Sequence, residues 1–461
     1  MAKRRPKVAF VPISMKLFWQ LYPSLEERAY IQARIVENML KLRFDVISLT
    51  LAGDENEAEV VAETLSKEDF DLLIIWENGY VASGIPTIII EALKNKPISL
   101  LITQRDTEIP LDMDYARYME STATTSAMEL GGALSKLGIP YTTIAGHMQD
   151  KNMYDRLEEL ARAAMVYKGL KELKIGSIGY AYPGMLDICV DDADIEKLGP
   201  KLIKITLEDV KSRLLNISSK RIEIFIEEIE KIFDTKRIKV DDFVRAAKTY
   251  CVIEDIIKEY EINALTVNDF EYLSTATEAV SDFALSMLEN RYALATGVEG
   301  DIPNCIGAYI GSRLAGSSCM FTDWTMFDEK NNTIFLQHNG KVDPAIVDNP
   351  ALSPSAEPFG GVVGDGVVVE ASGKEGPVTL ISMFYREGWN IFVSEGKAIT
   401  AKVRPCRLNQ MTVKLDTPVR EFVEKACDLG VGHHLNAVHG HIASELKYLA
   451  KLAGIKYLEL T

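Results

Sequence analysis

The stretch Leu72-Leu-Ile-Ile75 places four apolar residues in a row, between a helical pattern near Glu57–Leu65 and another near Pro86–Leu93. A run that does not alternate polar and apolar has no solvent face, so as a strand it must be covered on both sides. Working outward, the same unit recurs. Val8–Val11 and Phe44–Leu49 are short apolar runs, Ile98–Thr103 and Tyr141–Ile144 read as further strands, and helical patterns lie between them. One helix starts at Ser24-Leu-Glu-Glu27, which has the form of a capping box, and carries Ile31, Ile35, Val36, Met39 and Leu40 on one face. Another lies near Thr122–Leu137. Strands buried on both faces and separated by amphipathic helices imply a parallel sheet, so residues 1–170 are expected to form a doubly wound α/β domain.

A helix from about Met153 to Leu170 leads into a second α/β pattern over residues 171–316. Its expected strands are Lys174–Tyr180 and Ala264–Val267. Its helices are Leu207–Leu215, Arg221–Phe233, Asp241–Tyr260, Ala276–Leu288 and Ile302–Leu314. From residue 317 to 461 the character changes. Gly360, Gly361, Gly364, Gly366, Gly373, Gly376, Gly388 and Gly396 punctuate short β-type runs at Val367–Glu370, Val378–Phe384, Ile391–Ser394 and Met411–Leu415. That pattern predicts a mainly antiparallel, barrel-like β domain, closed by a helix at Ile442–Ala453 and a strand at Tyr457–Leu460.

The 461 residues exceed what one core normally serves, in keeping with three domains. A net charge of −16 argues against nucleic acid and against anionic membrane surfaces as partners. No apolar run approaches bilayer length, and the basic start Met1-Ala-Lys-Arg-Arg-Pro6 precedes too short an apolar run for a signal peptide, so the expected location is the cytoplasm. Cys189, Cys251, Cys305, Cys319, Cys406 and Cys427 form no CxxC pair and read as free thiols.

Three segments carry candidate chemistry: Thr296-Gly-Val-Glu-Gly-Asp301, Met320-Phe-Thr-Asp-Trp324 and Gly432-His-His-Leu-Asn-Ala-Val-His-Gly-His441. Glu299 is expected on a loop just before a helix, kept reachable by its glycines. Asp323 is expected to emerge at the end of a short strand. Four of the six histidines fall within residues 433–441, in a segment whose glycines suggest a flexible, approachable loop. Two carboxylates and an imidazole suit a hard divalent ion such as Mn²⁺. They also suit moving a carbonyl between C1 and C2 of a sugar, which needs a base at C2, a proton for C1 and a Lewis acid for the developing enediolate. Each segment alone has a plainer reading: a solvated turn acid, a helix cap, core histidines. His439 and His441 are read as structural.

Taken together and in order, these segments resemble the L-fucose isomerase and L-arabinose isomerase superfamily, over nearly the whole chain. Ala145-Gly-His-Met-Gln-Asp150 is similar to the arabinose isomerase stretch Gly-His-Trp-Gln-Asp. Gly297-Val-Glu-Gly-Asp301 resembles Gly-Glu-Gly-Asp, Phe321-Thr-Asp-Trp-Thr325 resembles Phe-Met-Glu-Asp-Tyr, and Gly432-His-His434 resembles Gly-Ala-His-His. Leu21-Tyr22-Pro23 resembles the opening loop. The resemblance implies that Glu299 and Asp323 are acid/base carboxylates and metal ligands, that His434 is a ligand, and that His338 is a fourth ligand in an arabinose-type site. It implies Mn²⁺, with Co²⁺ or Mg²⁺ as substitutes, and a homotrimer or homohexamer with sites shared between subunits. Trp19, Met185, Asn268 and Trp324 become candidate sugar contacts. The second carboxylate is Asp, as in fucose isomerases, while the Gln and His that arabinose isomerases place near the substrate are replaced by Glu120 and Ala123. These departures bear on the substrate, expected as a pentose, a 6-deoxyhexose or a modified hexose. The alternatives are a non-catalytic sugar-binding protein and a zinc hydrolase using the His cluster.

Overall fold

A computed structural model describes residues 4–355, 366–400, 404–405 and 408–460. Gly360, Gly361, Gly364 and Cys406 lie outside the described residues. The chain falls into two compact units, Lys3–Lys168 and Gly169–Thr461.

The first unit is a parallel sheet of β1 (Lys7–Ile13), β2 (Asp45–Ser48), β3 (Leu72–Glu77), β4 (Ile98–Gln104) and β5 (Thr142–His147), in the order β2-β1-β3-β4-β5. Every residue of β3 is buried, as its unbroken apolar run requires. The capping box at Ser24 does not form. Pro23 is the N-cap, with helical φ and ψ and no side-chain cap bond, and the helix runs Ser24–Lys41. Proline's fixed φ already starts the helical turn, which puts Ser24 inside it rather than before it.

The second unit holds two sheets. One is parallel: β6 (Lys174–Ile178), β7 (Lys201–Ile205), β8 (Ala264–Val267) and β9 (Ala295–Gly297), ordered β7-β6-β8-β9. The helix expected over Ala276–Leu288 is interrupted. Short helix Ser274–Thr277 ends on Glu278 in a left-handed conformation, and a second helix spans Asp282–Tyr292.

The other sheet has nine strands: β10 (Met320–Asp328), β11 (Thr333–His338), β12 (Val347–Pro354), β13 (Val367–Gly373), β14 (Gly376–Tyr385), β15 (Trp389–Ile399), β16 (Asn409–Lys414), β17 (His434–His439) and β18 (Lys456–Glu459). Their order is β12-β13-β16-β11-β10-β17-β14-β15-β18, mainly antiparallel. β15 also pairs with β16, Ala398 opposite Val413, so six of the strands close on one another as a barrel. Helix Ile302–Ala315 packs against β9 of the parallel sheet and across β14 and β17 of the barrel, and a separate apolar core runs from the parallel sheet into the barrel.

Two local expectations are corrected. Asp323 does not end its strand; β10 continues to Asp328, with an irregularity in register between Trp324 and Met326. Such bulges re-aim side chains without ending the pairing. The His cluster is not a flexible loop either. His434–Val438 is buried in β17, between β10 and β14. Its buried polar residues find some of their partners there: Asn436 Nδ2 donates to the Asn304 carbonyl at 2.9 Å.

Candidate metal centre

The carboxyl ends of parallel strands are where an open α/β sheet presents ligands. Here β6 leads to Asp187, β8 to Asn268 and Asp269, and β9 to Glu299. Facing them are residues of the barrel. Asp323 on β10 pairs directly with His434 on β17, so both side chains stand on one side of the sheet. His338 is the last residue of β11, next to Gln337, which pairs with Asp323 on the other flank.

Four side chains thus meet. Glu299 Oε2 lies 3.2 Å from His434 Nε2, and Glu299 Oε1 lies 3.9 Å from His338 Nε2. Asp323 Oδ1 is 3.6 Å from His434 Nε2 and 3.9 Å from His338 Nε2. Glu299, His338 and His434 hold ligand atoms within 4.8 Å of one another, as do Asp323, His433 and His434. Glu299 Oε2, Asp323 Oδ1 and His434 Nε2 are buried yet form no hydrogen bond in the described structure. Buried polar atoms normally find partners. Three that converge without bonding one another form a donor set suited to a divalent cation. Carboxylates and imidazoles are both ordinary ligands of divalent ions.

The surroundings orient these donors. His434 Nδ1 donates to Asp301 Oδ2 at 2.8 Å, which leaves Nε2 turned to Glu299 and Asp323. Asp301 is also the N-cap of helix Ile302–Ala315, accepting from Asn304 N at 2.8 Å. His433 Nδ1 donates to Asp187 Oδ2 at 2.6 Å, and its Nε2 stands 3.9 Å from Glu299 Oε2. The rings of Phe321 and His434 lie 4.7 Å apart, a contact that fixes the imidazole plane.

Electrostatics follow from these contacts. Burial opposes charge on Glu299, but His433 and His434 outweigh it and hold the carboxyl well below the usual range. Burial likewise opposes charge on His434, yet Asp301 and Glu299 push its imidazole up to about 10. His433 is raised to about 9 against its burial, through Asp187 and Glu299. Burial lowers His338, though Asp323 and Glu299 oppose the shift. The acids here call for positive charge, which a proton or a metal ion can supply.

The remaining candidates lie at varied distances from this chemistry. Trp324 donates to the Gly432 carbonyl at 3.0 Å and, with Asp187 and His433, lines a cavity of about 450 Å³ whose other wall is apolar. Met185 is half-buried, two residues from Asp187. Asn268 is fully buried with its amide committed to Tyr180 and Glu271. Trp19 belongs to the first unit, where it donates to Ser14 at 3.2 Å. His439 closes β17, and His441 lies 3.6 Å from Glu395; among the described residues neither belongs to a metal-competent group. Sequence reasoning did not single out Asp187 or Asp269, and marked His433 only as part of the His cluster. Asp301 was visible only as the end of its motif.

Residues 14–172 match the family described as the L-arabinose isomerase N-terminal domain. A sulfoquinovose isomerase of Alkalicoccus urumqiensis is 24% identical over 70% of this chain and 72% of its own length. An L-arabinose isomerase of Bifidobacterium adolescentis is 22% identical over 89% of this chain and 84% of its own. The family match and these relatives together support the L-fucose and L-arabinose isomerase superfamily. A sulfoquinovose isomerase of Priestia megaterium is similar at 22% identity over 69% of the chain and 71% of its own length. The same similarities indicate an enzyme of the sugar-isomerase class. No helix among the described residues is long and apolar enough to cross a membrane.

Proposed function

We propose that the protein is a divalent-metal-dependent aldose–ketose isomerase, with Glu299, Asp323, His434 and His338 as metal ligands and Glu299 and Asp323 as the acid/base pair. The observation that carries this reading is the convergence of two carboxylates and two imidazoles whose nearest ligand atoms lie 3.2 to 3.9 Å apart. A sugar-binding protein has no need of such a set, and a hydrolase using the His cluster alone has no need of Glu299.

Mn²⁺, with Co²⁺ or Mg²⁺ as substitutes, would polarise the carbonyl and hydroxyl oxygens at C1 and C2 and offset charge on the enediolate. The chain's own residues do the rest. Glu299, kept ionised by His433 and His434, and Asp323 provide a base for the C2 proton and an acid for C1. The C1 carbonyl oxygen takes up a proton as C2 loses its own, giving the enediol. Delivery of a proton to C1 and loss of the O2 proton then give the ketose. Met185, Asn268 and Trp324 shape the substrate's surroundings, Asn268 by holding the wall rather than by free donors. Trp19 is proposed to contribute from a neighbouring copy in a homotrimer or homohexamer; the exposed Leu17 and Leu21 beside it on one helix suit such an interface.

The substrate class is a pentose, a 6-deoxyhexose or a modified hexose, the sulfonated hexose of the relatives' names included. The test is ketose formation from L-arabinose, L-fucose and sulfoquinovose with Mn²⁺, for the wild type and Glu299→Gln. Turnover abolished by the substitution, with the fold retained, is the expected result. Unchanged isomerisation by Glu299→Gln overturns the assignment.

A further inference from the structure

The turn that carries Glu299 is pinned at three points. Glu299 and Gly300 are both left-handed, with φ of 60° and 73°. That conformation is easy for glycine and disfavoured for any residue with a Cβ. Gly300 also needs its missing side chain, since a Cβ there would stand 2.1 Å from the Tyr180 carbonyl oxygen. The Glu299 carbonyl accepts from Tyr182 N at 2.8 Å, and Gly300 N donates to the Val267 carbonyl at 2.8 Å. Both of these pins are main chain to main chain. The third is different: Glu299 N donates to Asp269 Oδ1 at 3.2 Å.

Asp269 is 1% exposed and opens a π-helical turn, Asp269–Leu273, at the carboxyl end of β8. The turn does not need Asp269 as its cap, because Asn268 already accepts from Glu271 N. The second carboxylate oxygen, Oδ2, is buried and makes no hydrogen bond in the described structure. An acid buried with half its acceptors unused costs stability. Packing alone would be served as well by an apolar side chain.

We propose that Asp269 is a positioning residue: its carboxylate holds the Glu299 N–H, keeps Glu299 left-handed, and so fixes the aim of the Glu299 carboxylate at His434 and His338. Without an acceptor at this place the buried N–H is left unpaired. The peptide between Val298 and Glu299 is then free to rotate, φ returns to negative values, and the carboxylate leaves the other donors. The functional consequence rests on the metal-isomerase reading above, whereas the backbone consequence does not.

Three substitutions test this. Asp269→Asn keeps an acceptor of the same reach, Asp269→Ser is too short, and Asp269→Leu has the size but no acceptor. Asn should retain activity. Ser and Leu should lose about 100-fold in kcat with KM little changed, bind Mn²⁺ at least about 10-fold more weakly, and show Glu299 at negative φ in a crystal structure. Wild-type kcat, Mn²⁺ affinity and positive φ in the Leu variant overturn the proposal. So does an Asn variant as impaired as the Leu variant. If the Leu variant does not fold, Asn against Ser decides: loss in Ser alone supports the proposal, and equal behaviour of the two overturns it. If the wild type isomerises no aldose, the functional reading fails, while Glu299 φ and Mn²⁺ affinity still decide the role of Asp269.

Discussion

His434 gives its Nδ1 proton to Asp301 at 2.8 Å and keeps its buried Nε2 unbonded toward Glu299 and Asp323. A carboxylate only accepts, so the pairing keeps a proton on Nδ1 and leaves Nε2 as the nitrogen that a metal ion can claim. The same contact raises that nitrogen's basicity. Asp301 thereby ties the start of helix Ile302–Ala315 to the candidate metal centre.

Asp301→Asn keeps a good helix cap and removes the charge behind His434. The expected outcome is a 10- to 100-fold loss of Mn²⁺ affinity, on the order seen for such outer partners, with little change in melting temperature. Titration with Mn²⁺ reads it. Equal affinity in the two proteins would reduce Asp301 to a helix cap.

Metal binding should release a proton from His434. Asp301 and Glu299, working against burial, raise its pKa to about 10. The sign is that of a raised histidine: stabilisation by the proton is full below pH 6.5 and is lost as pH climbs through about 10. A divalent ion competes with this proton, so apparent Mn²⁺ affinity should rise by up to about tenfold per pH unit between pH 6 and 8. Calorimetry in two buffers of different ionisation enthalpy measures the proton directly. Heat that does not depend on the buffer would remove His434 from the ligand set.

Lys341 is buried, with Nζ on Glu289 Oε1 at 2.6 Å, Thr296 Oγ1 at 2.7 Å and the Thr296 carbonyl at 3.1 Å. Lys341→Met leaves Glu289 buried without its cation and should cost about 3–5 kcal/mol. Replacing Glu289 by Leu as well should recover much of that loss. Urea unfolding of the single and double variants checks both; a harmless single substitution would contradict this account.

Glu77, at the end of β3, is buried with Oε1 unpaired, and burial pushes its carboxyl up to about 8. Its folded pKa is raised, so its contribution is full below pH 4.5 and is lost as pH rises through 8. The wild type should therefore lose stability against Glu77→Gln across that window, by on the order of 4 kcal/mol in total. Unfolding free energies measured for both proteins at pH 5 and pH 8.5 test it. A constant difference between them would show that the carboxyl is not protonated in the fold.

The strands that were legible are those whose burial is written locally. Leu72–Ile75 is an unbroken apolar run and Ala264–Val267 is interrupted only by Thr266, and both are fully buried in parallel sheets. Lys201–Ile205 is the edge strand β7, whose lysines mask its pattern. His434–His439 mixes His and Asn with apolar residues and reads as a loop until its partners on other elements are known. The same distinction holds for the candidate centre. Glu299, Asp323 and the His433-His434 pair carry local signals in glycine spacing and clustering. Asp187 meets His433 across 246 positions, and Asp269 reaches Glu299 across 30, with nothing in either neighbourhood to mark the pairing.

The pairing of Asp323 with His434 across β10 and β17 limits how this sheet can change length over evolution. One residue inserted just before Asp323 would turn its carboxylate to the opposite side of the strand, whereas two would restore its orientation one step further along. Length variation in descendants of this chain should therefore collect in the hairpin tip at residues 329–332. Within β10 itself it should come in even numbers, or not at all.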